Sequence, residues 1–393
     1  MLTLPLDRSG RCPTRQNRGG AIVKRLVSPL LIVLLLSSFV VGWRTTPDLT
    51  PPDNRIFMWS VSMTLAGNRL LVSDVDTGLH IFDVSNLSAP TKVMRIPLQN
   101  NMSSAVKDDI IYANSGNQLQ AIRVSGDSYT VVARIGSVYP AWEGVPSYGN
   151  ESGMGCSACS QNDAVTAPTA APGGTGSSYA TFAVVDNYLY RADSHDRLVT
   201  YDVSSPAKPK QIAQTLIGWG VESMYPTPNY LFIGGMAGMY IFDRAQPAKP
   251  VQIAKIEHTR ACDPVTVSGS TAFVTLRGSG FCGGVDDELM CVSIKDPHAP
   301  EIIGTTPIPT PFGLAVQNQK LYVSNGDGGY SLLDVSDPAA PAVMQTWTGG
   351  ATRDFIWSDH TLFVLSRDNV YIYDVTNPMA PMLLSQLQGI PAM

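Results

Sequence analysis

A seven-bladed, all-β propeller of four-stranded blades is the architecture this sequence predicts, on three observations. A phrase recurs: GGYSLLDVSDPAAP at Gly328–Pro341 returns as GLHIFDVSNLSAP at Gly78–Pro90, LVTYDVSSPAKP at Leu198–Pro209, MYIFDRAQPAKP at Met239–Pro250 and VYIYDVTNPMAP at Val370–Pro381. Met290–Pro300 is a weaker copy and Leu119–Ser125 a worn one without prolines. Its register residue falls seven times, at Asp83, Arg123, Asp202, Asp243, Ser293, Asp334 and Asp374. Upstream of each phrase lie two more short apolar runs, so every unit holds four strands. Four-stranded units at a period of ~40 to 45 residues are the sequence mark of propeller blades.

Each element follows from its residues. Phe312–Val316 and Leu321–Ser324 read as two strands joined by the polar turn Gln317–Lys320. The phrase opens with a β-branched and aromatic run alternating at period two, which is a third strand. Its Asp or Ser then bonds the backbone locally, and a proline removes the N–H that would extend the ladder, so the strand stops. The second proline opens a fourth, outer strand, as in Pro90–Ile96, Pro250–Ile256 and Pro341–Trp347, because proline is tolerated at the first residue of an edge strand.

The phrase resembles the LVIVD repeat of bacterial surface and exported proteins, and the resemblance covers Trp59 to the C-terminus. The stretches Ile217–Glu222, Arg260–Pro264 and Ala272–Arg277 resemble segments of one group of these exported propellers. The resemblance implies the fold and export; it implies no activity, and no catalytic residue is carried over.

Residues 1–43 read as an export signal or membrane anchor, 44–58 as a proline-bearing linker and 59–393 as the propeller. Six basic side chains and Asp7 precede or open the apolar run Leu26–Val41, which is short for a bilayer crossing and matches a signal-peptide core. Cleavage near Gly42 or retention as an anchor both fit this segment. The expected location is the periplasm or surface of a bacterium. The whole chain has 27 basic and 32 acidic groups; without residues 1–43 it has 21 against 31, a net charge near −10. So acidic a body is not expected to bind nucleic acid, nor a membrane except through an uncleaved N-terminal segment.

From Arg123 to Asp202 is 79 residues, about one blade's length too many. The excess, residues 141–178, is rich in Gly, Ser, Ala, Thr and Pro, and reads as a long surface loop. It carries Cys156 and Cys159 in a C-x-x-C, read in an exported chain as a small loop disulfide rather than a redox dithiol or half a zinc site. Cys262 and Cys282 flank the hairpin Val265–Leu276 and are expected to form a second disulfide; a metal site using His258, Cys262 and Cys282 is the alternative. Cys291 lies in a strand and reads as a buried thiol. The turns Asp74–Gly78 and Asn325–Gly329 look like calcium loops but are too short and lack the closing Glu.

Function in a propeller usually sits on the rim where the outer strand of one blade crosses to the inner strand of the next. Those crossings carry Trp219, Glu222, Arg260, Asp263, Phe312, Arg353 and Asp354, a set of aromatics and both signs of charge suited to a small ligand or peptide. The same charges could instead pair across blades, with Glu222 and Asp263 stapled to Arg260 or Arg353, and Trp219 could be a packed wedge. No nucleophile elbow, P-loop or H-E-x-x-H motif is present, and no cofactor or metal motif is assigned. Two functions stand side by side: a non-catalytic binding or scaffold module taking an envelope protein, peptide or glycan, and a hydrolase or lyase drawing acid–base groups from the rim.

Overall fold

The computed structural model describes residues 60–136, 174–193, 196–218, 220–258, 264–278, 286–367 and 369–388. They form seven four-stranded antiparallel blades: 60–96, 104–135, 182–216, 221–257, 265–307, 314–347 and 354–388. Within each blade the strands pair in chain order, and the innermost strand of each blade packs beside those of its two neighbours, so that blade 7 meets blade 1 and the ring closes. The seven register residues all lie in the third strand of a blade, six of them as its last residue.

The apolar core is divided into seven layers, each between two adjacent blades. Successive side chains of a strand point to opposite faces. Leu70 and Val72 therefore enter the layer shared with blade 7, while Leu71 between them enters the layer shared with blade 2. This is why the two middle strands of a blade read as nearly continuous apolar runs. The outer strand is covered on one face only, and Lys210–Leu216 alternates exposed with half-buried positions.

The repeated phrase accounts for three local features. The Oδ1 atoms of Asp83, Asp202, Asp243, Asp334 and Asp374 each accept the backbone N–H two residues ahead, at 2.7 to 2.9 Å. That N–H holds the Asp83, Asp202 and Asp374 carboxyls below their ordinary range. A register shift falls in the third-to-fourth strand pairing of all seven blades, as between Ile81 and Phe82 or Leu332 and Leu333, and such bulges increase the local twist. The phrase's proline region also clips blade to blade: Tyr112, Tyr190 and Tyr322 donate their hydroxyls to the carbonyls of Pro206, Pro247 and Pro378 in the following blade. Ser385 of blade 7 donates likewise to Leu87 O of blade 1. Gly78 and Gly238 open the third strand, and Gly329 directly precedes it, at positive φ (97°, 145° and 98°). There an added Cβ would run into the carbonyl oxygen of the outer strand.

The extra chain between blades 2 and 3 departs from the surface-loop reading at its described end. Thr175–Gly176 adds a fifth strand to the inner edge of blade 1, pairing with Thr64 and Leu65. Ser177 then donates its N–H to Met63 O and accepts from Met63 N at Oγ (2.9 and 3.0 Å). Ser178 bonds blades 6 and 7, Ala180 O accepts from Met224 N of blade 4, and Thr181 N donates to Ser103 Oγ in the crossing into blade 2. Residues 174–181 are thus a strap across the channel, with Ser177 and Ser178 buried. The physical reason is that the inner strands leave unpaired edge groups facing the channel, which these small polar residues satisfy. Residues 141–173, with Cys156 and Cys159, lie outside the described residues.

Candidate ligand-binding site

One mouth of the channel holds a cavity of about 540 Å³. In a blade the third strand begins at the end where the first begins, so the crossings and the second-to-third-strand turns share one face and the repeated Asp-containing turns lie on the other. The cavity is on the crossing face. Its wall takes Val61 from blade 1, Asn114 and Asn117 from blade 2, Arg191 from blade 3, Glu222 from blade 4 and Arg277 from blade 5. Phe312 and Arg353 come from the crossings into blades 6 and 7, and Tyr179 from the strap.

Local bonds place these groups. Asn114 accepts at Oδ1 from Met102 N and Ser103 N, and donates from Nδ2 to Asn100 O and Gly116 O, tying the first crossing to the neighbouring turn. Phe312 N donates to Ser324 O, and Thr275 Oγ1 donates to Phe312 O at 2.6 Å. Gly313 N donates to Arg353 O and Arg353 N to Leu365 O, which joins Phe312 to Arg353 through backbone. The guanidinium carbons of Arg277 and Arg353 lie 3.8 and 5.5 Å from the Phe312 ring centroid. Arg191, 5% exposed, donates to Asn117 O and stands 5.7 Å from the Phe182 ring centroid. Burial, and after it the nearby Arg367, lowers the Arg353 pKa, although a guanidinium stays protonated throughout the ordinary range.

Of the rim residues expected from the sequence, Glu222, Phe312 and Arg353 meet in this cavity. Asp354 does not join them as an exposed acid. It is 0% exposed, and its carboxylate accepts Ser178 N, Ser178 Oγ and Phe355 N at Oδ1 and Tyr179 N at Oδ2, at 2.6 to 3.2 Å. Burial pushes this carboxyl above its ordinary range, against the pull of the surrounding hydroxyls and N–H groups. Asp354 is an anchor for the strap, its lone pairs taken by four donors, and is not placed to exchange a proton with a ligand. Trp219, Arg260, Asp263, Cys262 and Cys282 lie outside the described residues. The cross-blade pairing expected of Arg353 is not made with any described carboxylate.

Arg191, Arg277 and Tyr179 were not among the sequence candidates. Arg191 sits in a strand and Arg277 directly follows one, rather than in a crossing; the signal that marks Arg191 is an arginine where the other blades carry small or apolar residues, whereas blade 7 repeats the arginine of Arg277 at Arg367. The calcium-like turn at Asp74 is closed by its own bonds: Asp74 Oδ1 accepts from Asp76 N, Thr77 N and Thr77 Oγ1. Among the described residues, no group of three His, Cys, Asp or Glu side chains is arranged to hold a metal.

Fold and site together define a closed, seven-bladed repeat propeller with a lined cavity at one mouth of its channel. The LVIVD repeat is matched at residues 60–96, 180–214 and 313–348, at blades 1, 3 and 6, so the chain carries LVIVD repeats. No curated protein matches the sequence. Among solved structures it is similar to the computationally designed Ika8 protein (TM-score 0.55, 8% identity, 86% of this chain and 89% of that one). It is also similar to BamB from Moraxella catarrhalis (0.53, 10%, 80% and 82%) and to Sqt1 from Saccharomyces cerevisiae (0.54, 9%, 85% and 87%). At these identities the likeness is one of fold alone.

Proposed function

We propose that this protein is a non-catalytic binding propeller of the bacterial cell envelope, and that its partner, a protein, peptide or glycan, is engaged at the channel mouth. The observation that carries the reading is the cavity itself, walled by side chains from five blades, two crossings and the strap. Concave, mostly preformed sites with a few convergent polar groups are where propellers and other rigid scaffolds take ligands. Of the rim groups offered for acid–base chemistry, Glu222, Asp263, Arg260, Arg353 and Asp354, Asp354 is committed to the strap and leaves Glu222 as the one described carboxylate of the wall, which favours binding over hydrolysis or lyase chemistry.

Export is supported by the basic residues ahead of the apolar run Leu26–Val41. Among the described residues, no helix is long and apolar enough to cross a membrane. A reporter joined after residue 60 is expected to reach the envelope of a bacterial host, and a reporter retained in the cytoplasm would overturn this location.

The binding reading is tested by capture from an envelope extract with the wild type and with a variant carrying Glu222→Gln, Phe312→Ala and Arg353→Ala. Both proteins must first give the same circular dichroism and a cooperative melt. The wild type is expected to retain a partner that the variant loses. Equal capture by both would remove the mouth as the binding surface, and wild-type turnover of an envelope polymer that the variant lacks would replace binding with catalysis.

A further inference from the structure

The charge at the mouth runs against the charge of the body. The chain after residue 43 carries 21 basic and 31 acidic groups, yet the described cavity wall carries three guanidinium groups, Arg191, Arg277 and Arg353, against the single carboxylate of Glu222. Two of the three crowd one ring: Arg277 and Arg353 both lie over Phe312, so each raises the electrostatic cost of the other. Neither Arg353 nor Arg191 makes an ion pair with a described carboxylate. Arg191 is nevertheless 5% exposed, and a cation so far removed from water calls for a counter-charge. A cavity with low-dielectric walls and one sign of charge concentrates ions of the opposite sign.

A second, independent observation comes from the strap. The Tyr179 hydroxyl is buried at the cavity wall with no hydrogen-bond partner, and Arg277 and Arg353 are among the charges that act on it. Burial keeps the phenol protonated, so it is a donor with no acceptor, on the same cavity wall as Arg353, which makes no ion pair with a described carboxylate. An oxyanion satisfies both deficits together, because guanidinium N–H groups match carboxylate and phosphate oxygens in a planar fork. Beside the polar Asn114, Asn117 and Thr181, the wall carries Val61, Met102, Phe182 and Val221, an apolar stretch that suits a hydrocarbon or aromatic body.

We infer that the mouth binds a small acid, an oxyanion carried on an apolar or aromatic body, with Arg353 and Arg191 supplying the charge and the Tyr179 hydroxyl a further donor. The inference rests on the binding reading above and gives its ligand a chemical class. A free acid of this kind and the acidic terminus of a longer molecule present the same group, and carboxylate and phosphate differ in charge and shape.

The test is calorimetric titration of the folded protein with benzoate, phenyl phosphate and neutral benzamide, at low and moderate salt. At least one of the two anions is expected to bind at least tenfold more tightly than benzamide and to weaken as salt rises. Arg353→Gln is expected to weaken that anion at least tenfold, and Arg353→Lys, which keeps the charge but not the fork, less. Arg353 is half-buried, so these variants are checked for an unchanged melting temperature; if Arg353→Gln melts early, Phe312→Leu with both arginines kept serves as the second variant and should weaken benzoate and benzamide alike while preserving the preference for the anion. Benzoate alone in the site assigns a carboxylate, and phenyl phosphate alone a phosphate. Benzamide binding as tightly as both anions, neither anion binding, or a folded Arg353→Gln protein that binds them as the wild type does would each overturn the inference. If it falls while capture is still lost in the triple variant, the mouth remains the binding surface for a ligand of another kind; if capture is also insensitive, the binding reading falls with it.

Discussion

Replacing Asp354 with alanine is expected to destabilise the folded protein by about 4 kcal/mol, since several buried donors lose their shared acceptor at once. The carboxylate is 0% exposed and takes hydrogen bonds from Ser178 N, Ser178 Oγ, Tyr179 N and Phe355 N. Gly313 packs so closely against it that an added Cβ would strike Oδ1, so water has little room to take its place. Asp354→Asn keeps the volume but turns one acceptor into an N–H₂ group facing backbone donors, and should lose most of the same stability. Urea unfolding measures the loss. Limited proteolysis reads its location, because the strap then loses its middle anchor while its ends stay bonded at Ser177 and at Ala180 and Thr181, and cleavage near Tyr179 should appear before cleavage within the blades. A loss below about 1 kcal/mol, or proteolysis no faster than in the wild type, would show that the strap is held by its other bonds and that Asp354 is not its anchor.

His80 should make stability depend on pH, by about 2 kcal/mol between pH 7 and pH 5. The ring lies in the third strand of blade 1 and is fully buried. Thr77 Oγ1 donates to Asp74 Oδ1 and stands 2.6 Å from His80 Nε2, so Nε2 carries the ring proton and donates to Thr77. Burial lowers the His80 pKa from 6.5 to about 3; Asp74 opposes this, and Lys92 and Arg95 add to it. The folded pKa is below the unfolded one, so between those values the unfolded chain binds a proton that the folded chain does not. Stability is therefore full above about pH 6.5 and is lost as pH falls toward the folded pKa. The His80→Gln protein keeps a donor and cannot titrate, so its stability should fall less over the same interval. The difference between the two slopes is the measurement, because the other groups titrate in both proteins. Equal slopes would mean that His80 titrates in the fold as it does in the unfolded chain.

Much of this architecture is legible in the chain because each blade restates it. Asp83, Asp202, Asp243, Asp334 and Asp374 mark the end of the third strand and bond the backbone two residues on; those are local interactions, and local interactions leave a local pattern. The site is less legible for the converse reason. Arg191, Arg277 and Tyr179 have no counterpart in the phrase and are far apart in sequence, and Phe312 and Arg353 could be suspected only because crossings share a face. Asp354 looked like an exposed acid because its acceptors' partners, Ser178 and Tyr179, are more than 170 residues away.

The sequence by itself determined the number of blades, the order of their strands and the turns that end them, since hydrophobic alternation, Asp-capped turns and prolines act within a few residues of where they stand. Tertiary structure alone decided that Gly174–Thr181 threads the channel and that three arginines meet at one mouth. Strap and site are made of contacts across the ring, and these exist only once seven inner strands have closed around a common axis, so no period in the chain records them.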